Sequence, residues 1–312
     1  MNPWNPMLAL MMLPALGACA QPPLPPKVPA DVAAPATDAA PAETPPPHQT
    51  FTLDSRHTGE KRVINVYLPP DYATNAQGAR YPTLYMPDGG VKEDFPHLAN
   101  ALDAGIRAGK VRPMLLVGIE NTERRRDMTG PTTVASDREI APRVGGSAAF
   151  RAFIADELVP AVEARYRVDA SRGIIGESAA GLFIVETLFV QPGLFDTHIA
   201  LSPSLWWNDS QLVKDAPARL AAGPAPSGRL FLASADEDNI VPQVAALAAV
   251  LGTDAPEGLY WTVTPRPDLR HDNIYRTMAP QLLVDYYGAV AAQDAAGASP
   301  VKREGEPTVE SK

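Results

Sequence analysis

Gly176-Glu177-Ser178-Ala179-Ala180 sets a serine among small residues. A serine hydroxyl is a weak nucleophile until a neighbouring base takes its proton. Its oxygen must also stand clear of the backbone. The pattern G-x-S-x-G meets that need by placing the serine on a tight turn between a strand and a helix, where crowding admits only small neighbours. Here Ala180 replaces the last glycine. Gly173-Ile174-Ile175 before the motif reads as a strand, and Leu182-Phe183-Ile184-Val185 after it as a helix. A helix N-cap is the plain alternative for Ser178. A second match, Gly145-Gly146-Ser147-Ala148-Ala149, has no strand before it, and capping of the next helix accounts for Ser147.

The base must be a histidine placed by the fold. His48 borders a proline-rich linker, His57 falls in a hairpin turn, and His97 begins a helix ahead of the serine. His198 sits inside an apolar strand. His271 lies in a loop between the last strand and the last helix. In the α/β-hydrolases, whose serine elbow this motif resembles, the chain order is serine, acid, histidine. Only His198 and His271 follow Ser178, and only His271 is on a loop; a plain surface histidine is its alternative. The acid should lie between them, just after a strand. Asp236, Glu237 and Asp238 follow the apolar run Arg229–Ser234 and compete for the role. Pro242 marks the next helix start, so Asp238 or Asn239 is equally suited to cap it. The cluster lacks the spacing of a calcium loop.

Such residues need a sheet to carry them. Phe51–Ser55 and Arg62–Leu68 alternate apolar and polar residues about a turn, which predicts an antiparallel pair. Tyr81–Met86 is a short apolar strand, and Pro113–Ile119 another with the continuous hydrophobicity of a strand buried on both faces. Further strands are predicted over Arg172–Gly176, His198–Ser202, Arg229–Ser234 and Leu259–Thr264. Helices are predicted from Ser147 through Val162 and over Gly181–Val190, Val244–Leu251 and Asn273–Tyr287. Strands alternating with helices imply an α/β fold: a mostly parallel central sheet, an antiparallel N-terminal strand pair, and helices on both faces.

The composition bounds the alternatives. The chain has 312 residues, 45% hydrophobic and 20% charged, which excludes a wholly disordered protein. No apolar run approaches the length of a membrane span, which excludes a polytopic membrane protein. A net charge of -9 argues against nucleic acid as a partner. One cysteine excludes a disulfide framework and a cysteine zinc cage. The 34 prolines are concentrated near the start. Met7–Gly17 is an apolar stretch of 11 residues, the size of a signal-peptide core. Leu16-Gly17-Ala18-Cys19 resembles the lipobox of bacterial lipoproteins, although no Lys or Arg precedes Lys27; an ordinary cleavage site at Ala18-Cys19-Ala20 is the alternative. Ala20, rather than Asp, implies by the same resemblance an outer-membrane anchor facing the periplasm. Gln21–Pro47 holds 10 prolines and 7 alanines among 27 residues, and reads as an extended tether. The expected organisation is a signal peptide over 1–18, a lipidated Cys19 opening a tether over 19–47, a catalytic domain over 48–291 and a disordered tail over 292–312.

Ser171–Trp207, reading SRGIIGESAAGLFIVETLFVQPGLFDTHIALSPSLWW, resembles the enterochelin-esterase and putative-esterase family of α/β-hydrolases. Tyr81–Gly90 resembles that family's Y-P-x-L-Y-x-x-D-G strand and turn, and Val117–Asn121 with Arg126–Thr129 its loop before the long helix. The likeness spans about Gln49 to Gly288. Two departures are Glu177, where the family carries histidine, and Ala180, where it carries glycine. The resemblance implies Ser178 as nucleophile and His271 as base. It places the acid at the fourth position of a G-x-x-[DE] turn. Ser234 holds the glycine position, so Glu237 is the expected acid and Asp238 the runner-up. The oxyanion donors would be the backbone N–H groups of Ala179 and Gly90. Trp206 and Trp207 would wall the acyl or aryl pocket, with core packing the alternative. Arg126 would bind an anionic substrate group, or else be one of three solvated arginines. An ionised Glu177 would raise the pKa of His271.

The expected function is therefore a serine carboxylic-ester hydrolase in the cell envelope. It works through an acyl-enzyme, needs no metal or organic cofactor, and acts on a small-molecule ester such as a siderophore lactone, an acylated carbohydrate or a small acyl ester. Its rivals are an acyltransferase of the same fold and a non-catalytic ligand-binding lipoprotein. The oligomeric state is left open.

Overall fold

The computed structural model describes residues 43–75 and 78–289. The expected signal segment, Cys19, the expected tether up to residue 42, residues 290 and 291 and the expected tail over 292–312 lie outside the described residues. Eight strands form one sheet in the order β1-β2-β4-β3-β5-β6-β7-β8. β1 (His48–Asp54) and β2 (Lys61–Tyr67) pair antiparallel, with Phe51 opposite Ile64. β2 is also antiparallel to β4 (Leu115–Ile119). From β4 onward, through β3 (Tyr81–Pro87), β5 (Val168–Glu177), β6 (Thr197–Leu201), β7 (Gly228–Ser234) and β8 (Leu259–Pro265), every pairing is parallel.

Side chains alternate between two cores, as the two-residue period of a strand requires. Leu84 and Met86 of β3 face one core, closed by α1 (Phe95–Arg107) and α9 (Ile274–Tyr287) through Leu98, Leu102, Ile274 and Leu282. Tyr85 and Ile174 face the other. There α6 (Ala179–Val190) contributes Phe183 and Leu188, α7 (Trp207–Ala222) Val213, and α8 (Val241–Asp254) Val244 and Leu247. With both faces covered, the inner strands have no solvated side. That is why β3 and β4 are buried throughout and, Thr83 apart, carry no aliphatic hydroxyl or charged side chain.

The helix predicted from Ser147 through Val162 is interrupted. α4 (Ser147–Phe153) passes through a π turn (Ile154–Leu158) into α5 (Val159–Arg165). Pro160 has no N–H to give to the turn before it, and a widened turn accommodates that gap. The N-cap position falls on Gly146 rather than Ser147, with no side-chain capping bond, so the capping role expected of Ser147 is not realised. Two short helices, α2 (Arg124–Met128) and α3 (Ala135–Ile140), are too brief to leave a periodic trace in the sequence. α7 was hidden for another reason. Its first turn holds Asn208, Asp209 and Ser210 at positive φ, and Pro217 lies inside it.

Residues assigned to the end of the tether are docked on the domain. Arg276 donates to Glu43 at 3.0 Å and Asn100 Nδ2 donates to the carbonyl of Thr44 at 3.0 Å, while the ring of His48, where the domain was expected to begin, meets Phe95 edge-on at 5.2 Å. Glu43 and Thr44, expected in the tether, thus lie against α9 and α1.

Candidate active site

All the polar residues of interest leave the carboxyl ends of neighbouring parallel strands. Ser178 follows β5, Ser202 and Ser204 follow β6, Glu237 follows β7 and His271 follows β8. In an open parallel sheet, helices cover the faces, so these loop ends are where side chains from distant parts of the chain converge.

Ser178 sits at φ 59° and ψ -118°, a strained backbone for a residue with a Cβ. The turn is over-determined. The Ser178 N–H donates to the Leu201 carbonyl at 3.0 Å, while its carbonyl accepts N–H groups from Leu182 at 2.9 Å and Ser204 at 3.0 Å. A Cβ on Gly176 would come within 2.7 Å of the Ala180 methyl, which explains the small residues around the serine. Ser178 Oγ lies 3.2 Å from Ser204 Oγ. Ala179 opens α6, where the first N–H groups have no partner within the helix.

Glu237 and His271 meet directly, with His271 Nδ1 donating to Glu237 Oε1. The exit loops of β7 and β8 are stitched so that this happens. Asp236 N–H donates to the Leu269 carbonyl at 3.0 Å, and Arg266 N–H to the Ser234 carbonyl at 2.7 Å. Of the three competing acids, Glu237 is buried while Asp236 and Asp238 are exposed. The other oxygen of Glu237 accepts Ser202 Oγ at 2.5 Å. His198, the other histidine after the serine, is fully buried in β6 between Ile174 and Leu230. Burial lowers it to about 4, so it is a neutral core residue.

Glu177 is partly buried, and its Oε1 is sealed from solvent with no hydrogen-bond partner. Burial above all pushes its carboxyl up to about 8; the charges of Asp94 and Glu237 add to the effect, while His271 and Arg124 oppose it. At neutral pH Glu177 therefore carries its proton, and the expectation of an ionised neighbour acting on His271 is corrected.

The turn after β3 is bound tightly to its surroundings. Asp88, at φ 59°, accepts Arg124 Nε at 2.6 Å, Arg124 Nη2 at 2.8 Å and Asn121 Nδ2 at 2.6 Å. The Gly90 N–H, expected to be an oxyanion donor, donates instead to Glu93 Oε2 at 2.7 Å. A carboxylate of the chain thus holds the proton that a substrate oxygen would need. Burial raises the pKa of Glu93, with the Gly90 N–H working against it.

Arg126 is spent elsewhere. It forks onto Glu60 at 2.6 and 2.8 Å and reaches Asp127 at 2.7 Å, in a network that includes the wholly buried Arg62. Arg126 thus ties the turn before β2 to α2, and Arg62 ties β2 itself to Asp127, so the anion expected at Arg126 is supplied by the chain's own carboxylates. Arg124, two residues earlier, is the arginine at the site: besides Asp88 it reaches the Glu177 carbonyl at 3.5 Å. Trp207 is buried, and its indole N–H donates to the Gly130 carbonyl at 3.0 Å, so it belongs to the core. Trp206, 6.0 Å away between ring centres, keeps partial exposure. Arg124, Ser202 and Ser204 carry no spacing signal of their own: the arginine is one of three in a row, and the two serines lie near the end of the Ser171–Trp207 stretch.

The chain resembles known proteins in sequence and in fold. A family model described as "Putative esterase" matches residues 55–250. The ferri-bacillibactin esterase of Bacillus subtilis (strain 168) is 33% identical over 189 residues, 55% of this chain and 64% of that protein. The siderophore triacetylfusarinine C esterase of Aspergillus fumigatus is 39% identical over 99 residues, 30% of this chain and 32% of that one. The chain thus spans less than two thirds of these curated relatives. Among solved structures, an IroE-like serine hydrolase from Shewanella oneidensis superposes with a TM-score of 0.71 at 26% identity, covering 77% of this chain and 80% of that one. The shared architecture is the α/β-hydrolase fold.

Proposed function

Since the chain belongs to the putative-esterase family of α/β-hydrolases, we propose that it is a serine carboxylic-ester hydrolase working through an acyl-enzyme. The observation that carries the reading is the set of Ser178 on its strained turn and the Glu237–His271 pair, on neighbouring strand ends. Ser178 Oγ attacks the ester carbonyl, and its proton passes to Nε2 of His271. Glu237 holds Nδ1–H and so fixes the tautomer with the free lone pair on Nε2. The alcohol leaves with that proton. Water, deprotonated by the same imidazole, then releases the acid. The Ala179 N–H stabilises the oxyanion, and the Gly90 N–H joins it once Glu93 yields.

The substrates of this site are siderophore esters, on the strength of relatives described as siderophore esterases. Lipidation of Cys19 would hold the enzyme on a membrane in the cell envelope.

The test is a set of variants assayed on p-nitrophenyl esters and ferric siderophore lactones. Ser178→Ala should abolish turnover, and wild type quenched during turnover should carry an acyl adduct on the Ser178 peptide. Glu237→Gln should lower kcat by about 10³- to 10⁴-fold, with Asp236→Asn and Asp238→Asn close to wild type. Full activity in Ser178→Ala would overturn the mechanism. Turnover of simple esters alone would overturn the substrate.

A further inference from the structure

Neither Ser202 nor Ser204 has a place in the chemistry above, yet each is buried and each touches a group that does. We propose that the Ser202-Pro203-Ser204 turn is a positioning device with one hydroxyl on each end of the triad, Ser202 holding the acid and Ser204 holding the nucleophilic oxygen. The inference rests on the serine-esterase reading.

Ser202 has no exposed surface and stands at φ 38°, which a side chain adopts only where its surroundings compel it. Its Oγ accepts the Ala235 N–H at 3.1 Å and donates its one proton to Glu237 Oε2 at 2.5 Å. His271 occupies Oε1. Both oxygens of the carboxylate are thereby engaged, and it cannot turn about its own axis without breaking a buried bond. An acid so fixed keeps the imidazole in one orientation.

Ser204 works at the other end. Its N–H is on the Ser178 carbonyl, and its Oγ is 3.2 Å from Ser178 Oγ. Proton accounting gives the direction of that second contact. Ser178 has one proton, and attack requires it to pass to His271. If Ser178 donated to Ser204, the proton would point away from the base. Ser204 must therefore donate and Ser178 accept, which pins the nucleophile's rotamer and leaves its proton for the imidazole. In deacylation water adds to the acyl carbon, its proton passing to His271, and as the resulting tetrahedral intermediate collapses the carbon–Oγ bond breaks and Ser178 Oγ recovers that proton from His271. The Ser204 donor stabilises the negative charge that grows on Oγ before that proton arrives.

The turn itself is held rigid. Proline fixes its central φ, and a Cβ on Gly181 would stand 3.0 Å from Pro203 Cα, so α6 packs flush against it. The Ser202 N–H donates to the Ala233 carbonyl at 2.8 Å, fastening the turn to β7.

The experiment uses the purified full chain with two readouts: the labelling rate of Ser178 by a fluorophosphonate, and steady-state turnover of a p-nitrophenyl ester. Ser204→Ala should lower both the labelling rate and kcat by about 10- to 100-fold with KM nearly unchanged. Ser204→Thr, which keeps a hydroxyl, should recover most of the loss. Ser202→Ala should lower kcat similarly in the wild-type background but cost little more in Glu237→Gln, because it acts through that carboxylate. Ser202→Gly suits the left-handed backbone and also lacks the hydroxyl, so it replaces Ser202→Ala if that variant fails to fold. Melting temperatures identify folded variants. Labelled wild type with folded hydroxyl-less variants that react as fast overturns this inference alone. So does full additivity of Ser202→Ala with Glu237→Gln. A wild-type chain that resists the probe and hydrolyses no ester overturns the serine-esterase reading, and this inference with it.

Discussion

Glu177 is the residue that most sets this site apart, because it stands immediately before the nucleophile. Its carboxyl titrates near 8 because burial penalises the charge more than His271 and Arg124 favour it. Two consequences follow from the sign of that shift. Below about 8 Glu177 keeps its proton, so on the acidic side of neutrality it places no negative charge beside His271. Glu177→Gln should therefore leave the acidic midpoint of kcat/KM where it is; a midpoint that drops by half a unit would mean that Glu177 is ionised after all. The second consequence is thermodynamic. A carboxyl whose folded value lies above its ordinary 4.5 binds a proton more tightly in the folded chain, so its contribution to stability is complete below about 4.5 and is lost as the pH rises through about 8. Urea unfolding at pH 5 and pH 8 should show a smaller fall in stability for Glu177→Gln than for wild type.

At the scale of elements, the site depends on how closely the exits of β3 and β4 approach. A Cβ on Gly89 would lie 2.2 Å from the Ile119 nitrogen and 2.3 Å from the Gly118 Cα, so backbone meets backbone with no room for a methyl. The same segment carries Asp88 and Gly90, and Asn65 Nδ2 donates to the Gly89 carbonyl at 2.9 Å from β2. Gly89→Ala should cost about 1–3 kcal/mol of unfolding free energy through forced backbone displacement, and lower kcat as the oxyanion turn moves. Gly252→Ala is the matched control: nothing lies within 4 Å of its Cβ position near the end of α8. It should raise stability by about 0.5–1 kcal/mol, because alanine loses less backbone entropy than glycine in a helix. Equal effects at the two positions, read from denaturant midpoints, would refute the packing account.

For the whole molecule the question is where the working domain begins. Glu43 pairs with Arg276 at 3.0 Å and lies 3.5 Å from His97. Removal of residues 1–42 should leave melting temperature and in vitro kcat unchanged. Removal through residue 47 also deletes these exposed contacts, which at ~0–1 kcal/mol apiece should lower the melting temperature only slightly. A large loss in the shorter deletion would place part of the core upstream of Glu43. Anchoring is read in cells: Cys19→Ala should shift the protein out of the membrane fraction, and a wild-type chain that is already soluble after lysis would rule out the lipid.

Neighbours along the chain are enough to specify the sheet and the serine's position on it. Two-residue alternation marks the β1–β2 hairpin, unbroken apolar runs mark β3 and β4, and small residues around Ser178 mark a crowded turn. Each of these is a local demand of backbone geometry, legible from neighbours along the chain. The sequence also places His271 on the right loop, since order along a parallel sheet becomes order in space. Only the tertiary structure chose Glu237 over Asp236 and Asp238, because burial and the approach of His271 depend on loops from two different strands. Only it sent Arg126 to Glu60 and put Arg124 beside Asp88, because three consecutive arginines leave a short helix in different directions. Ser202 and Ser204 were invisible for the same reason. A hydroxyl has no pattern of its own, and its role is set by which carboxylate or which oxygen the fold brings within reach.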